Sequence, residues 1–118
     1  MRKTDKKHER LISEALTTVC HKALSECPGF VWITHFVDYR DFPRSLIIVS
    51  VFETDEALGN TLKTQSQANL SGWIREALRN LSPPLSISDH QIQFDSEEAC
   101  NRESGGNWQR RYQSVRRH

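Results

Sequence analysis

Between residues 11 and 24 the apolar side chains Leu11, Ile12, Ala15, Leu16, Val19, Ala23 and Leu24 recur at three- and four-residue spacing. That period predicts a helix with one buried stripe. Thr4 is the expected N-cap, and Cys27-Pro28-Gly29 ends the helix near Glu26, because proline cannot continue it and glycine permits the reversal. The period then changes. FVWITHFV (30–37) is aromatic and β-branched, and SLIIVSVF (45–52) is apolar on both alternating faces, as in a central strand covered on two sides. With DYRDFPR between them, the two segments predict an antiparallel hairpin on a long loop.

Helical spacing returns from about Asp55 to Leu81, with Thr54 as cap and Pro83-Pro84 as stop. Its polar middle, with Gly59, predicts a break near Thr64 to Gln67. Leu70, Trp73, Ile74, Ala77, Leu78 and Leu81 form the buried stripe of the second half. LSISDHQIQFD (85–95) predicts a third strand whose phase slips, since Leu85 and Ile87 share one parity and His90, Ile92 and Phe94 the other. A bulge or short turn at Ser88-Asp89 reconciles the two. In FDSEEACNRESGGNWQRR, Asp95 stands at capping-box spacing from Glu98, and Gly105-Gly106 stops a short helix. From Asn107 a last turn places Trp108, Tyr112 and Val115 on one side and Arg110, Arg111, Arg116 and Arg117 on a basic outer surface. The expectation is a single α+β domain in the order α-β-β-α-α-β plus a short C-terminal helix. It is built on a small sheet of about three strands, with residues 1–4 and 113–118 frayed.

Charge adds what the pattern lacks. The first ten residues carry five bases against two acids, residues 102–118 five arginines against one acid, and residues 11–101 six bases against twelve acids. Basic ends on an acidic body either fold back onto that body or attach to an outside polyanion, and the first reading is weighted slightly higher because an acidic body repels phosphate. No apolar run is long enough to span a bilayer, and the charged start does not read as a signal peptide. Three scattered cysteines, Cys20, Cys27 and Cys100, argue against a disulfide framework and for the cytoplasm.

Chemistry is sparse. Cys20-His21…Cys27 lacks metal-ligand spacing, no serine sits in a glycine elbow, and no glycine-rich phosphate loop follows a strand. No catalytic residue, metal or cofactor is expected. The loop VDYRDFPRS offers Tyr39, Arg40, Phe42 and Arg44 together, and aromatic and arginine residues are the usual anchors of interfaces. The competing reading tucks Phe42 and Pro43 into the core edge with the charges solvated. With Trp108, Arg110 and Arg111 these residues form the candidate partner-binding surface. A non-enzymatic protein-binding or regulatory module follows, with nucleic-acid binding through the basic termini as the alternative, a homodimer possible and no membrane contact.

MRKTDKK, GFVWITHFVDY, FPRSL, VFETD and FDSEEAC…GGNW together resemble a family of small bacterial cytoplasmic proteins whose members are often called Fis-family transcriptional regulators. That name implies DNA binding by a C-terminal helix-turn-helix, whereas here the strongest late helix is followed by Pro83-Pro84 and a strand. The resemblance assigns no catalytic or binding residue. The element order is also similar to that of one class of KH domain, although LKTQSQANL (62–70) lacks the glycines of its nucleic-acid clamp.

Overall fold

The structure is a computed structural model and describes residues 2–116. Helix α1 (Lys3–Glu26) begins earlier than its sequence suggests and takes in Lys3 and Thr4. Arg2, not Thr4, is the N-cap. Asp5 closes the turn by accepting from the Arg2 backbone N–H at 3.4 Å and from its guanidinium at 3.2 Å. Ile12, Leu16, Val19 and Ala23 form the buried stripe, and Leu24 stands exposed.

Strands β1 (Phe30–Phe36), β2 (Ile47–Phe52) and β3 (Ile92–Ser96) form one sheet in the order β1-β2-β3. β1 and β2 are antiparallel, as the hairpin reading requires, and β2 and β3 are parallel. A parallel pair needs a crossover; α2 (Asp55–Leu62) and α3 (Gln65–Arg79) supply it, with Thr54 and Thr64 capping each in turn. The break expected near Thr64 is therefore a new helix start.

β2 is central, and every residue from Ile48 to Phe52 is fully buried. One face of the sheet carries Ile48 and Phe52 against α1 and against Leu70, Ile74 and Leu78 of α3. Each such leucine or isoleucine contributes about 2 kcal/mol by burial. The other face carries Val49 and Val51 with Trp32 and Phe36. It is covered by Trp108 of α5 (Trp108–Arg111) and by Tyr112.

Two further expectations are corrected. The third strand does not begin at Leu85. Its phase slip is absorbed by a 3₁₀ turn at Asp89–Gln91, and pairing starts only at Ile92. The segment before it is pinned by side chains: Gln91 Nε2 donates to the carbonyls of Pro43 and Leu46 at 2.9 Å each, and Arg75 donates to the Ile87 carbonyl at 2.8 Å. Asp95 is not the cap of α4 (Glu97–Ser104). It lies inside β3, and Ser96 caps the helix by accepting from the Ala99 N–H at 3.0 Å. Gly105, at φ 59°, ends α4 in the left-handed region. α6 (Gln113–Arg116) is a final turn, and Arg117 of the expected basic surface lies outside the described residues.

Candidate functional site

The inward stripe of α1 continues backward from Ile12 at helical spacing to His8, Glu9 and Asp5. Polar residues thus occupy core-facing positions. Glu9 meets β1 and the following loop. His35 Nε2 lies 3.0 Å from its carboxylate, and the Tyr39 hydroxyl donates to Oε1 at 2.7 Å. Burial alone would raise the Glu9 carboxyl. The hydrogen bonds from Tyr39 and His35, with the His35 charge, outweigh it and hold the group below its ordinary value. Burial, and then the same Glu9 carboxylate, push the Tyr39 phenol well up. Tyr39 therefore stays neutral and donating.

The loop closes on this network. His8 and Phe42 stack with ring centres 4.5 Å apart, and Phe42 lies 5.3 Å from Tyr39. Both aromatic residues of this loop thus pack toward α1 and are half-buried. The arginines point outward, Arg40 to Asp38 at 3.1 Å and Arg44 to Asp41 at 3.0 Å, with side chains 67% and 83% exposed. Each is neutralised locally, so the loop offers guanidinium edges with little net charge.

The C-terminal candidates occupy the other face of the sheet. Arg111 grips Asp95 through two hydrogen bonds, 2.6 Å and 2.9 Å, with its side chain 17% exposed. The Tyr112 hydroxyl donates to the same carboxylate at 2.8 Å, and the Ser96 N–H donates at 2.9 Å. The Asp95 bond holds the Arg111 guanidinium firmly protonated. Trp108 meets Trp32 edge-on with ring centres 5.3 Å apart. Tyr112 stacks on Phe36 at 4.7 Å, and the Trp32 indole N–H donates to Glu97 at 2.6 Å. Arg111, expected on a basic outer surface, is thus an inward anchor. Arg110 is exposed.

The structure therefore brings Tyr39 and Phe42 together with Glu9, and Trp108 with Arg111, as two separate clusters. Gln109 draws them near each other, because it shares an open hollow with Glu9 and Tyr39. Sequence reasoning missed Glu9, His35 and Asp95. The signal for Glu9 was a carboxylate at a core position of an amphipathic helix, and for Asp95 an acid beside the apolar outer face of a central strand.

In the Glu9–His35–Tyr39 arrangement the Tyr39 hydroxyl and His35 Nε2 both turn to the Glu9 carboxylate. Among the described residues neither Cys20 nor a serine or threonine hydroxyl hydrogen-bonds to His35, so no nucleophile–base pair is formed there. Burial raises the Cys27 and Cys100 thiols, which keeps them in the unreactive protonated form. Among the described residues no group of His, Cys, Asp and Glu converges as a metal site, and no helix is long and apolar enough to cross a membrane.

Glu9 is expected to stabilise the fold. Its depressed folded pKa means stability that is present above the unfolded value of about 4.3 and lost as pH falls through the folded value. Glu9→Gln is expected to lower the urea midpoint at neutral pH, with the gap to wild type closing in acid. The side chain is 40% exposed, so the effect is less than about 1 kcal/mol. A gap that does not vary with pH would show that the carboxylate charge contributes nothing.

No protein-family model, curated protein or solved structure matches this chain.

Proposed function

We infer that the protein is a non-enzymatic binding module of the cytoplasm that docks an acidic protein surface through the outer face of α1. One observation carries this reading. Lys3, Lys6, Lys7 and Arg10 stand exposed on the first turns of α1, at the positive end of the helix dipole, where acids are favoured. Among the described residues only Arg10 of these four forms an ion pair, an exposed one with Glu14 at 3.4 Å. Cations that oppose their own helix dipole serve an outside anion. The Arg40 and Arg44 guanidinium edges belong to a loop packed against the same end of α1 and extend the surface.

Nucleic-acid binding is the second reading and draws on the same cations. Asp38 and Asp41, interleaved with Arg40 and Arg44, disfavour a phosphate backbone there, and Arg111 is committed to Asp95. A protein partner is therefore preferred.

The test compares immobilised wild type with a Lys6→Glu/Arg10→Glu variant in lysate, with and without nuclease. The expected result is a partner held by wild type after nuclease treatment and lost from the variant. Equal retention by both proteins would remove α1 from the interface. Loss on nuclease treatment, with affinity falling steeply in salt, would establish the nucleic-acid reading instead.

A further inference from the structure

Among the described residues β1 is an edge strand, paired with β2 alone. Successive residues of a strand point to opposite faces, so a hollow lined by consecutive residues opens onto the strand's edge instead of one face. Two open hollows have this character. One, of about 410 Å³, is lined by Thr34, His35, Phe36 and Val37 in succession. Its flanks are Glu9 and Tyr39 on the α1 side and Gln109 on the α5 side. The other, of about 270 Å³, is lined by Ile33, Thr34 and His35 together with Ser13 and Thr17 of α1. Both hollows lie along this edge, between α1 and α5.

Natural edge strands are usually blunted by lysine, proline or a bulge. β1 has a bulge at Val31, where the pairing passes from Phe30↔Phe52 to Trp32↔Val51. Beyond it Trp32–Phe36 is regular, with neither lysine nor proline. The opposite edge strand, β3, carries Asp95 and Ser96, both already committed to Arg111 and to the cap of α4.

We propose that a second copy of this chain pairs with β1 across a two-fold axis at Thr34, joining the two sheets into one of six strands. The segment Trp32–Phe36 is self-complementary about that residue. Antiparallel pairing centred there sets Thr34 opposite Thr34 and each Trp32 opposite the other copy's Phe36. Threonine cross-strand pairs stabilise sheets, and no like charges face each other in this register. The register leaves the Val31 bulge outside the paired region.

The flanking helix agrees. Lys3, Lys6, Arg10, Ser13, Thr17, His21 and Leu24 share one stripe of α1 by helical spacing, and Ser13, Thr17 and His21 line the hollow beside the edge. Under the two-fold axis the two α1 helices run antiparallel, with Ser13, Thr17 and His21 of this stripe beside the axis and the cations of the first turns beyond the hollow. Leu24 on this stripe and Val31 at the bulge are two of the three large apolar side chains most exposed among the described residues.

Sedimentation equilibrium of the full chain at micromolar concentration tests the proposal. Wild type is expected at two chain masses. Thr34→Lys sets two like charges opposite each other at the axis, and the apparent mass is expected to halve with the far-UV circular dichroism unchanged. Thr34→Asp is likewise monomeric, and mixing the two variants is expected to restore the two-chain mass. Independently of those variants' folding, Thr34→Cys brings two β-carbons within about 5 Å, so mild oxidation is expected to yield a covalent dimer that wild type, with its native cysteines, does not form. A monomeric wild type overturns the proposal and leaves the edge to an extended segment of another protein. A Thr34→Lys dimer of unchanged mass overturns the register and the edge together.

Discussion

Replacing Asp95 with alanine is expected to lower the unfolding free energy by about 3 kcal/mol and the melting temperature by roughly 10 °C. Asp95 is 6% exposed and sits at the centre of the C-terminal anchor. Its carboxylate accepts from Arg111 twice, from Tyr112 and from the Ser96 N–H. Among the described residues alanine leaves the largely buried guanidinium in an ion pair with Glu103 alone, at 3.0 Å, and leaves the Tyr112 hydroxyl without its Asp95 acceptor. The aromatic cover of Val49 and Val51 then loses the polar clamp that positions it. Removing Arg111 as well, as Arg111→Met, is expected to cost less than the two single changes summed, because the second substitution deletes the uncompensated charge. Urea denaturation of the three variants gives the cycle. A near-zero loss for Asp95→Ala would show that the C-terminal segment rests on the sheet without stabilising it.

Gly29→Ala is expected to cost about 3 kcal/mol. Gly29 has φ +82°, and a β-carbon there would lie 2.4 Å from the Ala57 β-carbon on α2. The left-handed backbone costs a residue with a side chain about 1–2 kcal/mol, and the clash adds about 1–3 kcal/mol of overpacking. The Gly29 carbonyl also accepts from the Glu53 N–H at 2.8 Å, which ties the turn to the end of β2. The two sources separate with Ala57→Gly. That change removes the clash and leaves the φ strain, so the double variant is expected to be more stable than the sum of the singles by about 1–2 kcal/mol. Strict additivity would place the whole cost in the backbone. Unchanged stability of Gly29→Ala itself would contradict the close approach of α2 to this turn.

Much of the local structure was legible because it depends on neighbours in the chain. The 3.6-residue period of α1 and α3, the proline and glycine stops, and the two-sided apolar run of β2 each state a local preference strongly enough to survive folding. The break near Thr64 was legible for the same reason, as a polar, poorly helical stretch. Leu85 to Gln91 failed as a strand because alternation over so few residues does not distinguish a strand from a turn. The side chain of Gln91, reaching carbonyls more than forty positions away in the chain, decided it.

The candidate site divides in the same way. Tyr39 and Phe42 were visible as an aromatic pair in a loop, but which way they faced depended on α1. Glu9 and His8 hold them on the α1 side. Arg111 was visible as one of several C-terminal arginines. Its spacing on a four-residue helix could not separate it from Arg110, yet one points to Asp95 and the other to solvent.

By itself, then, the sequence determined the elements and their order, the central place of β2, the stops, and the segregation of charge between ends and body, all properties of periodicity and composition. Only the tertiary structure decided that β3 runs parallel to β2, that β1 keeps a free edge, and that the C-terminal stretch closes the second face of the sheet. Those outcomes rest on pairings between residues far apart in the chain. Asp95 with Arg111, Glu9 with Tyr39 and Trp32 with Glu97 gain their energy only when burial brings the partners together, and no local pattern encodes which distant partner each will meet.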